Sequence, residues 1–177
     1  SLLNNLIYLQ CLSIQFFGVA WESPGLVEQK YDGYYDDDFT FFGTATPNGD
    51  SVTVTSIQKG DEGNNYSYLW SGYFCPPLLG DYEFETRSDD ASFLVINDQI
   101  VVDNGGLHGA QTVSSTFQAI NTDCLPIEIY FGEIASGAVM EFRFKKPQDS
   151  GWSTVFDSIF STIGGNHNFM LHSDTGK

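Results

Sequence analysis

Gly80-Asp81-Tyr82-Glu83-Phe84-Glu85-Thr86-Arg87-Ser88-Asp89-Asp90-Ala91-Ser92-Phe93-Leu94-Val95-Ile96 reads as two strands joined through a pair of acids. Asp81 to Thr86 alternates apolar and polar side chains with the period of a half-buried strand, and Phe93 to Ile96 is a short apolar run of strand length. Between them, Asp89 and Asp90 bring four carboxylate oxygens within a few ångströms. Like charges that close repel unless a cation or a proton intervenes. Hard oxygen donors suit calcium far better than zinc or copper. The stretch therefore predicts a β-sheet domain with an extracellular calcium site at its rim.

Working outward, the same punctuation recurs. Phe93–Ile96 and Ile100–Val102 flank Asn97-Asp98-Gln99, a hairpin pattern. Upstream, Tyr66 to Phe74 is an aromatic strand stopped by Pro76-Pro77, and Ser51 to Ile57 alternates cleanly after the Pro47-Asn48-Gly49-Asp50 turn. Downstream come Thr112–Phe117, Leu125–Phe131 and Ala138–Phe144. No helix of ordinary length and no internal repeat interrupts them. Short strands at this spacing predict an all-β, antiparallel sandwich or barrel.

The ends read differently. Leu12–Phe16 predicts an extra strand in an N-terminal extension, residues 1–24; Leu6–Ala20 is too short and polar for a membrane span and lacks the basic start of a signal peptide. Residues 25–147 form the sandwich and 148–177 a C-terminal extension. In the latter, Val155, Phe156, Ile159, Phe160 and Ile163 fit either a short amphipathic helix or a strand packed back on the sandwich. His167, His172 and Asp174 read as a solvated tail, and the run Asp36-Asp37-Asp38 as a solvated loop.

The net charge of −16, from 23 acidic and 7 basic residues, repels phosphate backbones and anionic lipids. Nucleic acid and membrane insertion are therefore not expected, whereas divalent cations are attracted. Cys75 follows one predicted strand and Cys124 precedes another, which makes them a candidate disulfide pair, although sequence alone does not fix pairing; Cys11 would then be left over.

The order of motifs is more specific than any one of them. It runs Trp70-Ser71-Gly72-Tyr73-Phe74, Pro77, Gly80-Asp81-Tyr82-Glu83-Phe84, then Ser88 to Asn97, Val102-Asp103-Asn104-Gly105-Gly106, His108-Gly109 and Pro126-Ile127-Glu128-Ile129-Tyr130-Phe131. This succession resembles the protective-antigen fourteen-kilodalton (PA-fourteen) domain family. That family includes fungal flocculins, epithelial and GLEYA-type adhesins, bacterial adhesin lectin domains and modules inserted in glycosidases. The resemblance spans about Gly25 to Pro147.

It implies a jelly-roll-like β-sandwich carrying a calcium-dependent carbohydrate site, hence a lectin or adhesin domain at a cell surface or outside the cell. By resemblance, Asp89 and Asp90 are joined by a cis peptide and both bind the ion. The loop Gly132-Glu133-Ile134-Ala135-Ser136-Gly137 completes the shell, with the carbonyls of Ile134 and Ser136 as ligands. The family's amide-bearing position falls on Gly132; either Glu133 beside it or Asn104 from the neighbouring loop supplies an oxygen instead, or the site is weaker or lost. A terminal sugar then meets the ion beside Asn104, His108, Ala135 and Ser136. A second reading makes the chain a structural subunit of an extracellular filament, with Leu6–Val19 adding as a strand to a neighbour's sheet. An enzyme is not expected: paired glycosidase carboxylates stand about 5–9.5 Å apart across a cleft, which neighbours at a sheet rim do not.

Overall fold

Strand alternation along the chain sorts the side chains into one buried layer between two sheets. The computed structural model describes residues 24–135 and 137–164. The predicted N-terminal strand and Leu6–Val19 segment, Cys11, Ser136, His167, His172 and Asp174 lie outside the described residues. The elements in order are β1 (Leu26–Asp32), α1 (Phe41–Thr44), β2 (Val52–Val54), β3 (Gln58–Lys59), β4 (Tyr66–Phe74), β5 (Gly80–Asp89), β6 (Ser92–Ile96), β7 (Gln99–Asn104), β8 (Gln111–Ala119), β9 (Leu125–Glu133), β10 (Val139–Lys145) and β11 (Phe160–Ser161). One sheet has the order β2-β1-β4-β9-β6-β7, with β11 also paired to β4; the other has β3-β10-β5-β8. All the pairings are antiparallel. The sandwich expected from sequence is the fold observed.

Period-two alternation explains the core. Tyr82, Phe84 and Thr86 of β5, Ile127, Ile129 and Phe131 of β9, and Met140, Phe142 and Phe144 of β10 all turn inward and are buried. The hairpin predicted at Asn97 forms, with Asn97 and Asp98 at φ 50° and 62°, the left-handed conformation that a tight hairpin turn requires. Of the strand expected over Ser51–Ile57, only Val52–Val54 pairs within a strand; Ile57 instead drops into the core and its carbonyl accepts the Phe142 N–H.

Between Pro147 and Gly164 the chain contributes to the same core. Phe156, Ile159 and Phe160 are buried, and Phe160 and Ser161 pair with Phe74 and Tyr73 of β4. Of the two conformations its spacing allowed, the strand is the one formed. Cys75 and Cys124 are joined by a disulfide (S–S 2.07 Å), just outside the Phe74–Leu125 rung of the β4–β9 ladder.

Three connections cross from one sheet to the other at the same pole, and they create the site. These are residues 90–91 between β5 and β6, 105–110 between β7 and β8, and 134–138 between β9 and β10. Residues 33–45 arrive at this pole from β1 and fold over the outer face of the larger sheet. There Tyr35 is buried among Phe93, Val95 and Tyr130, and Phe39 stacks on Tyr130 with ring centroids 4.3 Å apart. The disulfide, Pro24 and β11 lie at the opposite pole.

Candidate metal centre

Immediately beneath the pole the core turns from aromatic to polar. Ser88, continuing the inward side of β5, shares a hydrogen bond of 2.7 Å with Ser92, whose hydroxyl also meets Thr86 at 2.9 Å. Asn104 donates to Ser88 Oγ at 2.9 Å, and its amide oxygen accepts from Gln111 Nε2 at 2.8 Å. All four of these residues, Thr86, Ser88, Ser92 and Asn104, are buried. Such a satisfied network fixes both sheets in register below the crossover loops. Asn104 is a strut of this layer, its side-chain oxygen accepting from Gln111 and keeping a second lone pair.

Above it stand the carboxylates. One oxygen each from Asp89, Asp90 and Glu133 lies within 4.8 Å of the others. The Asp89–Asp90 peptide bond is cis, as the resemblance implied. Asp90 is held from two loops at once: Oδ1 accepts the His108 N–H and Oδ2 the Ile134 N–H, both at 3.1 Å. Gly109 and Gly137 leave Asp89 room, since a side chain on either would start 3.9 or 3.7 Å from its Oδ2.

Glu133 is the unusual member. It is fully buried, yet neither carboxylate oxygen has a hydrogen-bond partner. Burial, followed by the charges of Asp90 and Asp89, pushes its carboxyl up from 4.5 to about 7; the Ala135 N–H pulls the other way without reaching hydrogen-bond geometry. A buried, unpaired carboxylate facing two others is costly unless a cation joins them. The separation fits one: oxygens bound to a common calcium at about 2.3–2.6 Å stand at most about 5 Å apart. Three carboxylates are hard oxygen donors, the set that suits calcium, magnesium or manganese rather than thiophilic metals.

The rest of the predicted set divides. The Ile134 carbonyl already accepts the Asn65 N–H at 3.2 Å and keeps a second lone pair. The Ile134 and Ala135 side chains are exposed at the rim, and Ser136 lies outside the described residues. Gly132 carries no ligand atom in a side chain, and none would fit: a Cβ there would lie 2.6 Å from the Tyr35 ring. Its N–H bonds the Ala91 carbonyl at 3.0 Å. His108 turns both ring nitrogens to backbone carbonyl oxygens, that of Asn104 at the end of β7 (3.1 Å) and that of Gly109 (2.9 Å). It braces the loop whose backbone holds Asp90.

Three contributors escaped the sequence reading. Asp37, read as part of a solvated run, accepts the Gly106 N–H at 2.8 Å and ties residues 33–45 to the His108 loop. Asn65, at φ 59°, accepts the Tyr34 N–H on its side chain at 3.1 Å while its own N–H holds Ile134. Tyr34 stands half-buried against Gly132. Only Asn65 carries a local signal, as a turn-favouring residue closing the polar stretch Gly60–Asn65; the others depend on contacts distant in sequence.

The comparisons converge on this architecture. The family model described as PA14 domain matches residues 22–157. No curated protein matches the chain in sequence. Among solved structures, the A domain of epithelial adhesin 6 from Candida glabrata, in complex with Galβ1-3GlcNAc, is 15% identical with a TM-score of 0.65, over 83% of this chain and 90% of that one. The PA14 sugar-binding domain of an RTX adhesin is 17% identical with a TM-score of 0.66, over 80% of this chain and 99% of that one. The PA14 domain of the antifreeze protein MpAFP is 15% identical with a TM-score of 0.64, over 77% and 89%. At these identities the likeness is one of fold.

Proposed function

The chain belongs to the PA14 domain family, and from that premise we propose that it is an extracellular module that binds a saccharide with the help of calcium held by Asp89, Asp90 and Glu133. The observation that carries the reading is the buried Glu133 carboxylate, without a hydrogen bond, facing Asp89 and Asp90 within 4.8 Å. Bound calcium would supply positions at which paired sugar hydroxyls replace water. The protein's own part is to hold the donors still. His108 and Ile134 orient Asp90 through backbone N–H groups, and the Thr86–Ser88–Ser92–Asn104 layer prevents the rim from closing downward.

Location outside the cell or on its surface is supported by the Cys75–Cys124 disulfide, since such bonds persist in oxidising compartments. Sugar-bound adhesin domains among the structural neighbours support the saccharide. We read the role as binding rather than catalysis, a reading supported by the convergence of the three acids within 4.8 Å. The test is a glycan array probed in calcium and again with a chelator. Binding that vanishes with chelator, and in Asp89→Asn and Asp90→Asn, is the expected result. Binding indifferent to chelator and to both substitutions would overturn the calcium-dependent reading.

A further inference from the structure

The wall beside the carboxylates is dominated by acids: the Tyr34 ring lies against Gly132, next to Glu133, and Asp37 on the same loop accepts the Gly106 N–H at 2.8 Å. Burial, then the charges of Asp37, Asp90, Asp36 and Glu133 in that order, holds the Tyr34 hydroxyl protonated well above its ordinary range. Asp61 adds to the field at Glu133. A divalent cation would offset two of the three charges in the cluster and none of those outside it.

No lysine or arginine answers them among the described residues; His108, whose charge would favour ionised Asp37, is the basic group within reach. Each lysine and arginine there is paired with a carboxylate, from Lys30 with Glu62 to Lys146 with Asp157. Arg87, the nearest in sequence to the site, is directed to Glu141 at 3.7 Å across the smaller sheet. Both ring nitrogens of His108 face backbone carbonyls, of Asn104 and Gly109, rather than open space at the site.

We propose that the site selects saccharides by charge, admitting uncharged and amino-bearing sugars and rejecting carboxylated or sulfated ones; this rests on the saccharide reading above. An ammonium group beside Tyr34 gains the ring face together with Asp36 and Asp37. A carboxylate entering the same space meets like charges that no lysine or arginine neutralises. Between charges several ångströms apart at a protein surface, the effect is about three- to tenfold in affinity per charge at low salt, and it fades as salt screens it.

The experiment is an array of galactosides, glucosides and mannosides, each beside its 2-amino and its uronic acid counterpart, probed in calcium at low and high salt. Wild type is expected to bind a neutral sugar, to bind its amine about three- to tenfold better at low salt only, and to leave the uronic acid unbound. In Asp36→Asn/Asp37→Asn the amine's advantage shrinks; the amide introduced in place of Asp37 keeps an oxygen for the Gly106 N–H, so the loop is retained. A uronic acid bound as well as its neutral parent overturns charge selection while leaving the saccharide reading intact. Silence on every spot overturns both.

Discussion

Glu133 follows Ile127, Ile129 and Phe131 on the inward side of β9, so strand geometry alone delivers its carboxylate to the top of the core. That parity was present in the sequence, where Glu133 figured as a substitute for the amide expected at Gly132; the alternation shows why it reaches the acids. The carboxyl's rise from 4.5 to about 7 means that folded protein retains a proton the unfolded chain has lost across that interval. With more protons bound in the native state, stability falls as pH rises. Chelator-treated protein is expected to lose roughly 2–3 kcal/mol between these two pH values in denaturant titrations. Calcium should flatten that slope, as should Glu133→Gln. The same substitution should stabilise metal-free protein near neutral pH by about 1–2 kcal/mol, because a buried repulsion is removed. It should also weaken calcium binding by tenfold or more. A Glu133→Gln variant that is less stable than wild type without metal would show that Glu133 is paired in some other way.

At the scale of the element, what sequence made legible was set by local chemistry. β4 over Tyr66–Phe74 and the hairpin around Asn97 were readable because alternation and turn residues lie within one short window. β11 and Ile57 were not, because what fixes them is β4 and β10, far along the chain. Asp37 and Tyr34 were missed for the same reason. Gly132 illustrates the limit from the other side: its position pointed to a missing ligand, whereas the space is filled by Tyr35, whose ring lies 2.6 Å from where a Cβ would be. Gly132→Asn, which would restore an amide, is therefore expected to cost about 1–3 kcal/mol in thermal unfolding rather than improve the site. The disulfide closes the far end of the β4–β9 ladder, 49 residues apart in sequence. Cys75→Ser/Cys124→Ser should lower stability by about 2–4 kcal/mol and leave calcium affinity unchanged, since the acids stand at the opposite pole. A parallel loss of calcium affinity would mean that the poles are coupled.

Taken as a whole, the described residues form a sandwich with two unlike poles. Pro24 and Ser161 bridge at the disulfide pole, while three inter-sheet crossovers gather the acids at the other. The excess of acid, −16 overall, is partly a surface property but also sets the field at that pole. Calorimetric titration of calcium into metal-free wild type and Asp90→Asn at neutral pH bears most directly on all of this. One saturable site is predicted for wild type, in the range of about 10⁻⁴–10⁻³ M typical of extracellular modules or tighter, and its loss in Asp90→Asn. No saturable heat in wild type, or an isotherm that Asp90→Asn leaves unchanged, would contradict it.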